Sequence, residues 1–216
     1  MLRISGTGMQ YKRWVYIMNY KELSDEAKEH AFEQFQSYAV SGDYDWWENT
    51  FCDWVTKLES LGIYTDNNQI HFSGFGSQGD GACFTGRINL KEFLEAHPEI
   101  LRQNVDLYMS TVPFDISDEE APQYEVFIDR YANSRYSHEN TVRLDWNVFC
   151  GGDAEEARGI HECYMSNADE DIISTCREYM RQLYRELEAE YEYMQSMECF
   201  LESVDYKTFD EEGELT

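Results

Sequence analysis

The sequence predicts a mixed α+β fold: an antiparallel sheet of about four to five strands with helices packed on one face, and a long helix near the C-terminus. Segments of alternating apolar and polar residues are mixed with segments of helical periodicity. Strands and helices do not alternate strictly, which disfavours a doubly wound sheet. The chain has 216 residues, 42% of them hydrophobic, which suits one core of ordinary size. We therefore expect a single globular domain over residues 1–216, with residues 1–10 and 210–216 frayed.

The first third of the chain predicts a short strand and two helices. Residues 13–19 form an aromatic and β-branched run that is typical of a strand. Ser24 is the expected N-cap of the first helix, because the acidic residues after it are favoured at the positive end of the helix dipole. An apolar stripe at helical spacing predicts a second helix from about Asp45, and Gly62 supplies the residue that ends it.

A glycine-rich hairpin is expected next. One strand begins at Ile70, a connection rich in glycine covers residues 74–81, and a second strand covers residues 82–88. Asn89 is then placed to cap a short helix that breaks at Pro98.

The following segment predicts one helix, a loop and two strands. Helix is expected over residues 99–109, and an acidic loop with two prolines over residues 112–123. Alternating apolar residues predict strands at residues 124–128 and 142–148.

The strongest helical pattern covers residues 169–194, and a shorter helix is expected over residues 196–204. The apolar seam of the long helix consists of Ile173, Cys176, Met180, Leu183, Leu187 and Met194.

The same helix carries a basic stripe. Arg177, Arg181 and Arg185 recur at every fourth residue. Because Glu178 and Glu188 lie three or four residues from members of the stripe, a salt-bridged face in contact with solvent is the preferred interpretation.

Charge limits the classes of partner. The formal net charge is −26 at pH 7, and such a surface repels nucleic-acid phosphates and anionic lipids. We therefore expect no direct binding to nucleic acid and none to membranes. A protein with a basic surface is the expected partner, and one hypothesis is that clustered carboxylates imitate the phosphates of nucleic acid. The sequence leaves the oligomeric state open.

The cysteines indicate a reducing compartment. The sequence begins without the apolar run of a signal peptide, so we expect reduced thiols in the cytoplasm. No C-x-x-C pair occurs, which excludes a zinc ribbon at the level of the motif, and no metal or cofactor is expected. The cysteines are Cys52, Cys83, Cys150, Cys163, Cys176 and Cys199.

The least ordinary segment is FSGFGSQGDGACF, residues 72–84. Its glycines spell G-x-G-x-x-G, but a strand is expected where a dinucleotide-binding fold needs a helix N-terminus. Three interpretations remain: a conformationally demanding turn, a loop that contacts a partner, or a catalytic or ligand-binding loop. We expect the loop to be ordered, because unanchored glycines would cost too much conformational entropy. The candidate contact residues are Phe75, Ser77, Gln78 and Asp80.

The cysteine and histidine residues do not form a distinctive catalytic or metal-binding motif. His161 and Cys163 would share one face of a strand, as a metal site or a Cys–His pair requires. No further ligand lies at a standard spacing, so a surface histidine near a packed cysteine is preferred. Cys83 could pair with a distant histidine, but a chain with six cysteines and five histidines offers many such pairs. No residue is assigned a catalytic role, and the sequence leans against an enzyme.

Acidic residues are concentrated at the C-terminal end. From Glu186 onward Lys207 is the only basic residue. We name Glu188, Glu192 and Glu198 as candidate partner-binding residues there. The same segment is equally compatible with a solvated end of the molecule.

Three segments together resemble a family of small acidic proteins encoded by tailed phages and prophages. They are YKELSDEAK (residues 20–28), FSGFGSQGDGACF (72–84) and LEAEYEY (187–193). The resemblance spans most of the chain, except for about residues 90–163. Some members carry the label antitoxin of a toxin–antitoxin stability system. Gly76 stands where a bulky aromatic is usual in the family, so a pocket built on that side chain would be missing here.

The leading hypothesis is a phage-encoded counter-defence or antitoxin-like protein that acts in the bacterial host cell. It would bind and inhibit a host protein through its acidic surface, since complementary charge increases association rate and specificity. One alternative is a small enzyme or ligand-binding protein that uses the loop from Ser77 to Asp80. Another is a phage accessory or assembly protein. A concave pocket with convergent polar groups at the loop would favour the enzyme.

Overall fold

The computed structural model describes residues 2–3, 14–41, 45–111, 123–132, 135–149 and 154–216. The helices are α1 (Asp25–Ala39), α2 (Glu48–Glu59), α3 (Leu90–Ala96), α4 (Pro98–Gln103), α5 (Val105–Thr111), α6 (Ala154–Met194) and α7 (Met197–Val204). The strands are β1 (Leu2–Arg3), β2 (Trp14–Val15), β3 (Ile63–Tyr64), β4 (Ile70–Ser73), β5 (Gly81–Phe84), β6 (Gly86–Ile88), β7 (Gln123–Arg130) and β8 (Val142–Phe149).

All strand pairs among the described residues are antiparallel. The main sheet has the strand order β3-β6-β7-β8, whereas β4 pairs with β5 and β1 pairs with β2 in separate two-stranded sheets. The mixed α+β fold with an antiparallel sheet and a long C-terminal helix is thus confirmed. The glycine-rich hairpin β4–β5 forms its own sheet beside the four-stranded one.

The strand predicted over residues 82–88 is divided in the structure. The Thr85 N–H donates to the Gln69 carbonyl oxygen over 3.0 Å and so continues the β4–β5 register, and β6 begins at the next residue in a different sheet. Gly86 then approaches the backbone of Tyr64 so closely that an added Cβ would lie 2.3 Å from its carbonyl oxygen. The expectation of one continuous strand is therefore wrong, because a tertiary contact turns the chain between two sheets.

Two helices begin directly after the residues that the sequence predicts as their N-caps. The Ser24 hydroxyl accepts from the Ala27 N–H over 3.2 Å, and the Asn89 side chain accepts from the Glu92 N–H over 3.3 Å, so both predicted caps are confirmed. The helix expected over residues 99–109 is instead two helices. They meet at the buried Asn104, whose side-chain amide donates to the Ile100 carbonyl oxygen over 3.0 Å.

The long helix α6 begins at Ala154, fifteen residues before the predicted start at Asp169. Its predicted seam is confirmed, since all its members except Met194 are buried. Ala168 and Ile172 extend the seam toward the N-terminal side and are fully buried. In the first two turns of α6 the apolar residues are Ala154, Ala157 and Ile160, with Gly159 among them, and a stripe made largely of small residues gives a weak helical signal.

The chain forms two compact units. Unit 1 comprises residues 1–47 and 188–216, and unit 2 comprises residues 48–187. The core of unit 1 centres on Phe200 of α7, whose ring meets Tyr20 edge-on at 5.1 Å between centroids. The buried members of this core are Leu23, Ala27, Ala31, Phe200, Val204 and Phe209.

The C-terminal segment 210–216 forms a hydrogen-bonded turn and not the frayed end that the sequence predicts. Asp210 accepts at Oδ1 from the backbone N–H groups of Glu212 and Glu214, each over 2.9 Å. Phe209 and Met18 exchange backbone hydrogen bonds of 3.0 and 2.8 Å, which ties the segment to unit 1. Residues 4–10, also expected to fray, lie outside the described residues, as does most of the predicted loop 112–123.

Cys52, Cys83, Cys163, Cys176 and Cys199 are free thiols, and Cys150 lies outside the described residues. None of the helices in the described part of the chain combines the length and the apolarity that crossing a membrane requires.

Substitutions at two adjacent residues of α7 test the packing of the unit 1 core. Phe200 is 1% exposed and Leu201 is 47% exposed. We expect Phe200→Ala to reduce the free energy of unfolding by about 3–5 kcal/mol, because it leaves a cavity in the core of unit 1. Leu201→Ala should change it by about 0.5 kcal/mol or less. Urea denaturation followed by circular dichroism measures both, and equal effects would contradict the packing.

Candidate functional site

The glycine-rich loop, residues 74–80, forms the tip of the β4–β5 hairpin. Ser73 pairs with Gly81 at its base. The Asp80 carboxylate accepts from the Ser77 N–H over 2.7 Å, and the Asp80 N–H donates to the Ser77 carbonyl oxygen over 3.1 Å. Gly74, Gly76 and Gly79 have φ angles of 36, 131 and 99°, a region that favours glycine. The loop is therefore ordered and closed by its own hydrogen bonds, as expected.

Phe75 anchors the loop through an aromatic stack. Its ring lies between Phe72, at 5.8 Å, and Tyr184 of α6, at 5.3 Å between centroids. The Tyr184 hydroxyl also donates to the Gly74 carbonyl oxygen over 3.2 Å. The stack leaves Phe75 half-buried, so this candidate contact residue also holds the loop against α6.

The other side of the loop rests on residues 136–138, which precede the 3₁₀ turn Glu139–Thr141. An added Cβ at Gly79 would lie 3.1 Å from the Tyr136 ring, and one at Gly81 would lie 2.4 Å from the His138 Cβ. Arg130 holds this support by donating to the Tyr136 carbonyl oxygen over 3.1 Å. Sequence reasoning missed Tyr136, His138 and Arg130. The glycine pattern alone indicated that another chain segment approaches closely.

Ser77 and Gln78 remain exposed at the tip, whereas Asp80 is half-buried and engaged in closing the loop. A Cβ added at Gly76 would meet nothing within 4 Å. Position 76 therefore faces open space and does not line a pocket.

Cys83 and His71 are directly opposite each other on β5 and β4. Burial raises the pKa of the fully buried Cys83 thiol, against smaller opposing effects of a hydrogen bond to Thr141 and of the Arg130 charge. Burial also lowers the pKa of His71, and Arg130 adds to this effect. A neutral, inaccessible thiol is not an activated nucleophile, so this pair acts in packing.

The strand premise for His161 and Cys163 is wrong. Both lie in α6, where residues two apart project about 200° from each other around the axis. Cys163 is exposed, and the His161 side chain lies outside the described residues. Among the described residues, no three His, Cys, Asp or Glu side chains are arranged to hold a metal ion.

The basic stripe of α6 is salt-bridged, as predicted, but through Glu178 and Glu139. Glu178 accepts from Arg181 over 2.8 Å and from Arg185 over 3.1 Å, and these bonds, that of Arg181 first, hold the pKa of its carboxyl below the usual range. Glu139 lies 3.8 Å from Arg181. Arg177 donates to the Val142 carbonyl oxygen over 3.3 Å. The stripe is thus largely neutralised beside the loop.

The acidic candidates lie in unit 1. Glu192 and Glu198 are exposed, and Glu188 is half-buried. The Tyr193 hydroxyl donates to Glu202 over 2.9 Å. That bond, with smaller effects of desolvation and of the charges on Glu202 and Glu198, raises the pKa of Tyr193 to about 12. The carboxylates therefore create a negative potential around the junction of α6 and α7.

The family model DUF8835, described as a domain of unknown function, matches residues 46–197. The chain belongs to this family. The DUF8835 segment contains all of unit 2, including the loop, whereas α1 and nearly all of α7 lie outside it. No curated protein and no solved structure matches the chain significantly.

Removal of the Asp80 carboxylate should loosen the loop. We expect Asp80→Ala to accelerate hydrogen exchange of the Ser77 amide, because a hydrogen bond to a charged acceptor contributes about 1.5–3 kcal/mol. Mass spectrometry of deuterated fragments would measure this. Gln78→Ala is the matched control, since its exposed side chain should leave exchange unchanged. Unaltered exchange in Asp80→Ala would show that the carboxylate does not hold the loop.

The hydrogen bond between Tyr193 and Glu202 predicts how the Tyr193 hydroxyl titrates. Its stabilising effect is present below pH about 10, the ordinary tyrosine pKa, and is lost as pH rises through about 12. Glu202→Gln should move the pKa of Tyr193 down toward its ordinary value, and Glu198→Gln should move it less. The tyrosine ¹³Cζ shift in NMR reports both. A larger shift in Glu198→Gln would contradict the assigned hydrogen bond.

Proposed function

We propose that this protein is a non-catalytic binder that attaches to a basic protein of a bacterial host cell and blocks it. The proposal includes a phage origin and a counter-defence or antitoxin-like role, which rest on the resemblance of residues 20–28, 72–84 and 187–193 to phage proteins. It places the protein's action in the bacterial cytoplasm.

The observation that carries the proposal is the uncompensated charge of three carboxylates in unit 1, of which two are exposed and one is half-buried. Among the described residues, Glu188, Glu192 and Glu198 form no ion pair. Exposed carboxylates contribute little to stability, yet they attract a basic surface and accelerate association. Their local density supports a role in recognition, and the same density is what imitation of nucleic acid would require.

The glycine-rich loop is a second candidate surface for contact with the partner. Its backbone is fixed by hydrogen bonds and by the Phe75 stack, while Ser77 and Gln78 face outward. A rigid, exposed loop loses little entropy when it meets a partner. The alternative, a ligand-binding or catalytic loop, is less well supported, because Asp80 already occupies the Ser77 N–H and would oppose a phosphate there.

Charge reversal in unit 1 should weaken partner binding. We expect Glu188→Lys, Glu192→Lys and Glu198→Lys together to slow association with the partner captured from bacterial lysate at least about tenfold, because steering depends on these charges. Binding by the native protein should also weaken steeply with salt, since the screening length falls from about 10 Å at 0.1 M to about 3 Å at 1 M. Surface plasmon resonance measures both, and an assay of the partner's own activity tests blocking.

The matched control reverses three exposed acidic residues on helices of unit 2, namely Asp53, Glu59 and Glu170. This control changes the net charge by the same amount as the triple reversal in unit 1. If both variants slow association equally, the partner is attracted by the overall negative charge and not by the carboxylates of unit 1. Binding that is insensitive to salt would contradict the proposed function.

A further inference from the structure

The exposed face of α7 combines an apolar stripe with an acidic stripe. Phe200 and Val204 of this helix are buried in unit 1. Met197 and Leu201 lie one turn apart and are 42% and 47% exposed. Glu198 and Glu202 lie beside them, also one turn apart and exposed. The helix therefore presents to solvent an apolar edge bordered by carboxylates.

A cleft continues this face at the end of α7. Its volume is about 320 Å³, at the lower end of the range of ligand pockets. Lys21 and Asp205 face each other there at 3.9 Å, an ion pair in which both side chains are largely exposed. Such a pair is worth little in free energy, so an incoming cation can replace Lys21. The cleft is lined by Asn19, Tyr20, Lys21, Glu22, Val204 and Asp205.

The spacing of these features matches a helical partner. With a rise of 1.5 Å per residue, Met197, Leu201 and Asp205 follow one another at intervals of about 6 Å along the α7 direction. A helix that lies on this face would present side chains at every fourth residue with the same interval. Tyr206, which is 93% exposed, stands next to Asp205 and offers a further aromatic contact.

We infer that this α7 face docks a basic amphipathic helix of the partner. Apolar side chains of that helix cover Met197 and Leu201, its Lys or Arg side chains meet Glu198 and Glu202, and one cation enters the cleft beside Asp205. This inference rests on the proposed function and assigns its surface and the partner's chemistry.

Charge complementarity selects this occupant over others. A second copy of the chain carries the same net charge of −26 and is repelled at this acidic face. Nucleic acid and anionic lipid surfaces are repelled for the same reason. A neutral apolar helix would cover Met197 and Leu201 but leave the neighbouring carboxylates without counter-charges, and a basic amphipathic helix satisfies both stripes.

The test uses a fluorescein-labelled synthetic helix of alternating leucine and lysine faces as the probe, with the full-length protein. In methyl NMR the Met197 signal should shift on titration, while that of Met109, which is 59% exposed on α5, should stay in place. Fluorescence anisotropy should show that Glu198→Gln with Glu202→Gln weakens binding about tenfold. A Met109 shift as large as that of Met197 would overturn the inference.

Control variants on other helices distinguish binding of the probe at the α7 face from general electrostatic attraction to the acidic protein. Glu29→Gln with Glu33→Gln removes the same charge from two exposed residues one turn apart on α1 and should weaken binding less than about twofold. Met197→Ser with Leu201→Ser should weaken it about tenfold, whereas Val105→Ser with Met109→Ser on α5 should not. Equal effects within either pair of variants would overturn the inference.

The outcomes also separate this inference from the proposed function. If the probe avoids α7 while a basic partner still binds in a salt-sensitive manner, the docking face is wrong and the function stands. If partner binding is insensitive to salt while the probe still shifts Met197, the face exists and the proposed function fails.

Discussion

Burial of the α6 seam is the interaction on which unit 2 depends. Cys176, Met180 and Leu183 are fully buried, and removal of a Met or Leu side chain from water contributes about 1.5–3 kcal/mol. The seam fixes the rotation of the helix, and polar side chains beside it then reach several other elements. Hydrogen bonds join Asp169 to Trp146, Asp171 to Asn104, Tyr179 to His97, Tyr184 to Gly74 and Glu186 to Trp54. Rotation of α6 would break all of these contacts together.

The glycine-rich loop is held in place by side chains of α6. Tyr184 reaches Gly74 and Phe75 from the face of α6 that adjoins the buried Leu183 and Leu187. On its other side the loop rests against Tyr136 and His138, with no space for a side chain at Gly81. The glycines are thus explained by positive φ angles and by close packing, and the outward display of Ser77 and Gln78 is a consequence of both. Rigidity and exposure together make the loop suitable for recognition.

Charge is distributed unevenly between the described surfaces. In unit 2, Glu178 of α6 and Glu139 of the 3₁₀ turn offset the charges of Arg181 and Arg185, so these two arginines exert little field beyond their own contacts. In unit 1 the carboxylates near the junction of α6 and α7 have few cationic neighbours among the described residues. The hydrogen bond to Glu202 chiefly raises the pKa of Tyr193, and burial chiefly raises that of the Cys199 thiol, while nearby carboxylate charges add to both effects. The recognition by charge that we propose therefore rests on the carboxylates of unit 1. The segment that defines the family lies mainly in unit 2.

The elements whose signals are local can be predicted from the amino-acid sequence. The caps at Ser24 and Asn89, the seam of α6 and the strands β7 and β8 follow from side-chain periodicity and from hydrogen bonds within a few residues. Other features follow only from the tertiary structure: the division between β5 and β6, the attachment of the C-terminal segment to Met18 through Phe209, and the support of the loop by Tyr136. These depend on contacts between residues far apart in the chain, and a sequence pattern records that glycine is needed at Gly79 without recording which side chain approaches it.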